Sequence, residues 1–291
     1  MSESTRPPDN RPPFEPHIIK GVLFDAYGTL FEYGNPQFRI ATASILAEQA
    51  LEPDFEEFHK SWVEAYSPSG VWGTDGANRA TPYRDHVLNG PLPLWHSQWE
   101  IWRRQFSSAL EQHNLDGDPD RAADELRRRL GESDPYPDAH DTVERLAADG
   151  LTIGLLSNAD EDFLQRAISR TRLRFSVIQS SESLRVYKPH RAVFLAACDL
   201  LHCEPNETLY VGDSPIADVG GAHNAGLRTA WIRRPSERSD VRRTSQLTTS
   251  DDSDAAQRAE QSTTDMLSRI PEPDIIVETL LDISPVLRPH S

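Results

Sequence analysis

Residues 18–30 read IIKGVLFDAYGTL, and this stretch decides the fold because an apolar run leads directly into a carboxylate and a glycine turn. The β-branched run at 18–24 predicts a buried β-strand. Asp25 follows at its carboxyl end, and Gly28 permits a tight turn just beyond it. A carboxylate in this position suits a nucleophile or a metal ligand. An Asx turn that merely ends the strand would use the same residues.

The chain after this strand divides into a helical block and an alternating region. Apolar residues recur at helical spacing through the block 31–135, apart from a Gly- and Pro-rich stretch around 67–93 that could overhang a site. The helices predicted in the block are 35–51, 54–66, 95–114 and 118–131. Farther along, predicted strands at 151–157, 175–179, 208–212 and 227–232 alternate with helices. Such alternation predicts crossover connections and a parallel sheet, hence an α/β fold with a helical insertion.

Two segments have too few large apolar residues to form a packed core. The first, 1–17, is predicted to be a disordered arm. The second, 235–273, is rich in Ser, Thr, Asp, Arg and Gln and is predicted to be a disordered insertion before a last strand at 274–277. The predicted core therefore consists of residues 18–30, 136–234 and 274–287.

Composition restricts the classes of function. The 291 residues include 46 acidic and 30 basic side chains, a formal net charge of −16 at pH 7. This charge repels nucleic-acid phosphates and anionic lipids, and no apolar run approaches the ~20 residues of a membrane helix. The N-terminus lacks the apolar region of a secretory signal. We therefore expect a cytoplasmic protein, taken as a monomer or homodimer, with no nucleic-acid or membrane partner. A small anionic substrate would need a local positive charge, such as a metal ion or one well-placed cation.

Three further motifs fall at or just beyond the carboxyl ends of predicted strands, the edge where parallel sheets bind ligands. Ser157 and Asn158 follow an apolar strand and could hold an anionic oxygen, or could cap the next helix. Lys188, one of only three lysines, precedes a helix and could neutralise charge, or could be an ordinary exposed lysine. Asp213 ends another strand and Asp218 follows in the next helical turn, a spacing that suits Mg²⁺.

In order and spacing, the four segments resemble the motifs of the haloacid dehalogenase-like (HAD) hydrolase superfamily. The motifs are Asp25-x-x-Gly-Thr, Ser157-Asn158, Lys188-Pro189, and Gly-Asp213-Ser with a second Asp at 218. The resemblance covers residues 18–234 and the strand at 274–277. It implies a Rossmann-like parallel sheet core, with the block 31–135 as an inserted α-helical cap domain.

The resemblance also implies a role for each motif residue. Asp25 would be the nucleophile that forms a covalent intermediate, and Ser157, with Asn158 beside it, would hydrogen-bond the transferred group. Lys188 would stabilise its charge. The Mg²⁺ ligands implied are Asp25, Asp213 and the backbone carbonyl of Tyr27, with Asp218 next to the metal through water or Lys188.

Tyr27 departs from the pattern of the phosphatases in this superfamily. In those phosphatases a second Asp usually occupies this position and acts as general acid on the leaving group. General acid catalysis typically raises the reaction rate about 10²–10⁴-fold. The string DAYGTLF instead resembles the 2-haloacid dehalogenase branch, whose halide leaving group needs no proton. That branch, however, works without Mg²⁺ and resembles this chain less in its later motifs. It carries Ser-Ser-Asn in place of Gly-Asp-Ser, a tyrosine where this chain has Phe194, and an arginine with no counterpart around Glu56.

These motifs together predict a Mg²⁺-dependent phosphatase that acts on a small phosphorylated metabolite through an aspartyl-phosphate. Two alternatives stay open: a metal-free 2-haloacid dehalogenase, and a catalytically weak member that binds a phospho-ligand or a protein. In the cap, Trp95, Trp99 and Trp102 fall on one face of the predicted helix 95–114. They could form a substrate-stacking wall, although packing inside the cap is the better-supported interpretation.

Overall fold

The computed structural model describes residues 9, 11–65, 85–234 and 270–288. A six-stranded parallel sheet confirms the α/β Rossmann-like core, with strand order β3-β2-β1-β4-β5-β6. The strands are β1 Gly21–Phe24, β2 Thr152–Ser157, β3 Val177–Ser180, β4 Thr208–Gly212, β5 Arg228–Ile232 and β6 Ile275–Val277. β1 lies between β2 and β4, where the winding of the chain reverses direction. Ligands bind at such reversal points in parallel sheets.

A helical block separates β1 from β2 in the chain. Its helices are α1 Asn35–Glu48, α2 Phe55–Glu64, α3 Asp85–Asn89, α4 Gln98–Gln112 and α5 Pro119–Gly131. Within 31–65 and 85–135 no residue belongs to a β-strand. α4 begins at Gln98 rather than at the predicted residue 95, so Trp95 precedes the helix and does not share a face with Trp102. Residues 66–84, most of the predicted overhanging stretch, lie outside the described residues.

The core helices cover both faces of the sheet. They are α6 Ala139–Ala148, α7 Glu161–Ser169, α8 Ser181–Leu184, α9 Arg191–Leu201, α10 Gly221–Asn224 and α11 Ile283–Leu287. β1 alternates between two apolar clusters, since Val22 and Phe24 pack in one and Leu23 in the other. This two-sided burial explains why the strands are almost continuously apolar in sequence. No helix in the described ranges has both the length and the hydrophobicity to cross a membrane.

The two chain segments that join the block to the core run side by side. Phe31 and Pro135 form an antiparallel bridge between them. The buried guanidinium of Arg234 donates hydrogen bonds to the carbonyl oxygen of Thr29 (2.7 Å) and to the Asp138 carboxylate (2.6 Å). One arginine thereby ties the loop after Asp25 to the segment that leads back from the block.

Part of the predicted N-terminal arm is ordered against the core. Arg11 donates to the Leu227 carbonyl and to the Asp274 carboxylate. Arg228, 1% exposed, donates to the same carboxylate and to the carbonyl of Pro12 at 2.9 Å. The prediction of disorder for 1–17 is therefore wrong for residues 11–17. Its cause is that a buried guanidinium needs polar partners, which this segment supplies.

Ile270, inside the predicted disordered insertion, is also buried. It packs on Ile216 and Val219, so the prediction is wrong at this end of the insertion as well. The rest of the predicted arm and insertion, 1–8, 10 and 235–269, lies outside the described residues. The helical turn predicted to carry Asp218 is a π-helical turn, Pro215–Gly220, followed by α10.

Candidate active site

The predicted site residues converge at the carboxyl ends of β1, β2 and β4. Asp25 follows β1 directly and extends its ladder, since its N–H donates to the Val211 carbonyl at 2.9 Å. Ser157 is the last residue of β2 and is buried. Asp213 follows β4. Because adjacent strands end at the same edge, three separate parts of the sequence meet in one place.

Lys188 is the centre of this arrangement. Its side chain is 3% exposed, and its ammonium donates to Asp25 Oδ1 (2.7 Å), Asp218 Oδ1 (2.7 Å) and the hydroxyl of Tyr210 (2.9 Å). An ammonium has three N–H donors, and each has an acceptor here. Burial alone would lower the pKa of Lys188, but the carboxylates of Asp218 and Asp25 outweigh it and raise the pKa above its ordinary value. The lysine is therefore a fixed positive charge.

Asn158 holds Lys188 in place through the backbone. Its side-chain oxygen accepts from the Lys188 N–H at 2.8 Å, and its side-chain nitrogen donates to the Lys188 carbonyl at 3.1 Å. This two-point contact joins the loop after β2 to the loop before α9. The Asn158 side chain thus positions the lysine, a role that the sequence pattern did not indicate.

Asp218 is held on both oxygens. Oδ1 accepts from Lys188, and Oδ2 accepts from the Ser214 N–H at 2.8 Å. The π-helical turn makes this possible because it carries Asp218 back under the end of β4, where a Cβ at Gly212 would lie 2.3 Å from its Cγ. Burial raises the pKa of Asp218 to about 6, against the opposing pull of the Lys188 charge. The ammonium on Oδ1 and the amide N–H on Oδ2 both favour the ionised form of this carboxylate.

Asp213 lies against the turn that follows Asp25. Gly28 has a φ of +85°, and a Cβ there would lie 2.4 Å from Asp213 Oδ2. The backbone of Asp213 is fixed separately, because its carbonyl accepts from the Trp231 indole N–H at 2.8 Å. Glycine at 28 is required both by its φ and by this close approach.

The three carboxylates can accommodate a divalent cation. One oxygen each from Asp25, Asp213 and Asp218 lies within 4.8 Å of the others. The cluster holds three carboxylates, and the Lys188 ammonium pairs with two of them, Asp25 and Asp218, which leaves an excess of negative charge that a divalent ion would offset. Oxygen is also the ligand that Mg²⁺ requires. Because both Asp218 oxygens are already engaged, the direct ligands that fit are Asp25 and Asp213, with Asp218 acting through Lys188 and Ser214.

Tyr27 has an aromatic environment beside these charges. Its ring contacts Phe31, Tyr33 and Phe163, with centroids 5.7, 6.3 and 5.8 Å away. Its hydroxyl is buried and has no hydrogen-bond partner among the described residues. Burial, reinforced by the charge of Asp25, raises the pKa of Tyr27 well above its ordinary value. The phenol is therefore neutral, and the carbonyl of Tyr27 as a metal ligand stays a prediction.

Tyr210 is a site residue that the sequence analysis missed. It lies within β4, fully buried, and its hydroxyl donates to the Leu156 carbonyl at 2.9 Å while it accepts from Lys188. Phe194 packs edge-on against its ring with a centroid separation of 5.1 Å. A tyrosine in the middle of an apolar strand was the available signal, because a buried phenol needs a hydrogen-bond partner.

The sequence and the fold of this chain are similar to those of known proteins. A family model described as haloacid dehalogenase-like hydrolase matches residues 19–226. The chain is 27% identical over 220 residues to (S)-2-haloacid dehalogenase 4A of Burkholderia cepacia, a match that covers 74% of this chain and 84% of that protein. It is 32% identical over 227 residues to glyceraldehyde 3-phosphate phosphatase of Methanopyrus kandleri, covering 75% and 85%.

Among solved structures, L-2-haloacid dehalogenase from Xanthobacter autotrophicus superposes with a TM-score of 0.65 at 25% identity. The match covers 94% of this chain and 100% of that one. The relatives thus include a dehalogenase and a phosphatase at similar identity, and both are hydrolases.

We predict that Tyr210→Phe lowers the free energy of unfolding by about 1–3 kcal/mol, because one N–H of the buried ammonium loses its acceptor. Chemical denaturation measures this change. Tyr33→Phe is the matched control, since the buried hydroxyl of Tyr33 has no hydrogen-bond partner among the described residues. Its removal should leave stability unchanged or raise it. Equal losses in the two variants would contradict the role given to the Tyr210 hydroxyl.

Proposed function

The chain belongs to the haloacid dehalogenase-like hydrolases, and on that premise we propose that it is a Mg²⁺-dependent phosphatase. The observation that carries the proposal is the cluster of Asp25, Asp213 and Asp218, two of which, Asp25 and Asp218, contact Lys188. A metal-free reaction on a singly charged haloacid has no need of the carboxylates at 213 and 218. A phosphate ester brings up to two negative charges of its own, so it needs a cation beside the lysine.

The proposed reaction has two steps at Asp25. In the first, a carboxylate oxygen of Asp25 attacks phosphorus, and the bond from phosphorus to the leaving oxygen breaks. In the second, water attacks the resulting aspartyl-phosphate, which releases inorganic phosphate and restores the carboxylate. The Ser157 hydroxyl would hydrogen-bond a phosphoryl oxygen during both steps, and the positive charge of Lys188 beside Asp25 would stabilise the charge of the phosphoryl group. Mg²⁺, when bound by Asp25 and Asp213, supplies the positive charge that offsets the developing anion.

The substrate proposed is a small phosphorylated metabolite. The buried position of Asp25 and Lys188 favours a compact substrate, because both groups lie below the surface at the sheet edge. The neutral phenol of Tyr27 stands where a general acid would be expected, so the leaving group receives no proton from a carboxyl at this position. Esters whose leaving groups need no protonation, such as aryl and acyl phosphates, suit this site best.

A second candidate is 2-haloacid dehalogenase activity. Tyr27 favours it, and so do the names of two relatives, the Burkholderia cepacia enzyme and the Xanthobacter autotrophicus structure. In that reaction Asp25 would displace halide from carbon, and water would hydrolyse the ester. Two features weigh against this activity. Phe194 stands where the dehalogenase branch carries a tyrosine, and Asp213 and Asp218 suit a metal that this branch does not use.

The direct test is hydrolysis of p-nitrophenyl phosphate by the purified protein with Mg²⁺ and with EDTA. We expect turnover that requires Mg²⁺ and that falls by ~10³-fold or more in Asp25→Asn, which removes the nucleophile. Metal-independent chloride release from 2-chloropropionate, without phosphatase activity, would establish the dehalogenase instead. Inactivity on both substrates would favour a phospho-ligand or protein-binding role.

The leaving-group preference is a separate prediction. We expect kcat/KM for phenyl phosphate to exceed that for an alkyl phosphate of similar size by about 10²-fold or more, the low end of what a general acid contributes. Tyr27→Phe should leave this ratio unchanged, because the phenol is not the acid. Equal rates on both esters, or a selective loss of the alkyl rate in Tyr27→Phe, would sink the prediction.

A further inference from the structure

The start of α4 is held by the core rather than by the helical block alone. Ser97 accepts from the Glu100 N–H at 3.1 Å, as an ordinary N-cap does. The two preceding free amides of the helix, those of Gln98 and Trp99, donate to the Asp160 carboxylate at 2.7 and 3.0 Å. Asp160 is buried and lies in the loop after β2. A carboxylate of the core therefore completes the N-terminus of a helix in the block.

The loop that carries Lys188 holds the same segment of the block. The hydroxyl of Tyr187, the residue before the lysine, accepts from the His96 N–H at 2.6 Å and donates to the His96 carbonyl. His190, two residues after the lysine, hydrogen-bonds the Gly90 carbonyl at 2.9 Å. Both loops that form the site, 157–160 and 187–190, thus contact the stretch 90–99 immediately beside their functional residues.

Other helices of the block show that a carboxylate cap need not come from the core. Asp54 accepts from the first amides of α2, and Asp118 accepts from those of α5. Each of these caps lies next to its own helix in the chain, whereas Asp160 is about 60 residues from the amides that it binds. Helices of the block are thus capped by carboxylates of two origins: Asp54 and Asp118 come from the block itself, and Asp160 comes from the core.

We propose that Asp160 is a positioning residue that couples docking of the helical block to alignment of the catalytic loops. Its carboxylate fixes Gln98 and Trp99 against the loop that carries Ser157 and Asn158. Asn158 in turn fixes the Lys188 backbone. Loss of this cap would release the start of α4 and loosen both loops together. The kinetic part of this inference rests on the proposed function, whereas its structural part does not.

The strength of the contact between Asp160 and α4 depends on the charge of Asp160, and therefore on pH. Burial raises the pKa of Asp160 to about 6, and the acidic groups that face it, Glu182 of α8 and Asp162 of α7, push it in the same direction. The amides at the start of α4 oppose the rise. Above about pH 6 the carboxylate is ionised and accepts both amide hydrogen bonds at full strength. Below that pH it is protonated, which weakens the contact.

The experiment compares Asp160→Asn with Asp118→Asn by amide hydrogen exchange of the full chain at pH 7.5. We expect exchange in Asp160→Asn to rise about tenfold at residues 96–99 and also in the peptides that cover 157–160 and 187–190. Asp118→Asn should raise exchange only at the start of α5. A rise confined to 96–99, or no rise, overturns the coupling, whether or not the chain is a phosphatase.

Kinetics provide the functional arm, with whichever of p-nitrophenyl phosphate or 2-chloropropionate the wild type hydrolyses. If the docked block is the binding-competent state, Asp160→Asn should raise KM about threefold or more and leave kcat within about twofold. The KM ratio to wild type should fall toward one at pH 5, where wild-type Asp160 is protonated too. Asp118→Asn should match wild type throughout. A KM ratio of one at pH 7.5, or one that does not vary with pH, overturns the positioning role.

Discussion

The buried ammonium of Lys188 is the group on which the rest of the site depends. A charge at 3% exposure is tolerated only if every N–H has an acceptor and opposite charges lie close by. Asp25, Asp218 and Tyr210 meet that requirement from β1, the π-helical turn and β4. Satisfying one ammonium therefore fixes the relative positions of three elements. The geometry of the candidate site is a consequence of that requirement.

Much of the core was predictable from the sequence because its strands are apolar on both faces. The short, almost continuously apolar run 151–157 predicts a buried strand. Parallel strands bring the residues at their carboxyl ends together. The sequence alone therefore predicts that Asp25, Ser157 and Asp213 lie at one edge of the sheet. Lys188 came from its rarity in the chain and from the family resemblance.

The contacts that position these residues were not predictable, because they join residues far apart in the chain. Asn158 was expected to hold an anion or cap a helix, but its amide binds the Lys188 backbone. The sequence around Asp160 does not indicate its role, because its partners are the first amides of α4, about 60 residues away in the chain. α4 begins at Gln98, three residues after its predicted start at 95. The order of residues 11–17 is unpredictable for the same reason. Its polar partner is Arg228, which lies more than 200 residues away in the chain and which needs such partners because β5 is buried.

Tyr27 favours a metal-free dehalogenase, whereas Asp213 and Asp218 favour a Mg²⁺-dependent phosphatase. The two activities differ in whether the site binds a cation, and this difference can be measured directly. Titration of Mg²⁺ into the substrate-free protein by calorimetry asks whether the excess negative charge at Asp25, Asp213 and Asp218 holds a cation. We expect binding of one Mg²⁺ per chain, weakened ~10-fold or more in Asp213→Asn and unchanged in Asp282→Asn, which alters an exposed carboxylate of the core. Absence of binding by the wild type, or equal affinity in Asp213→Asn, would contradict the metal-dependent chemistry proposed for this site.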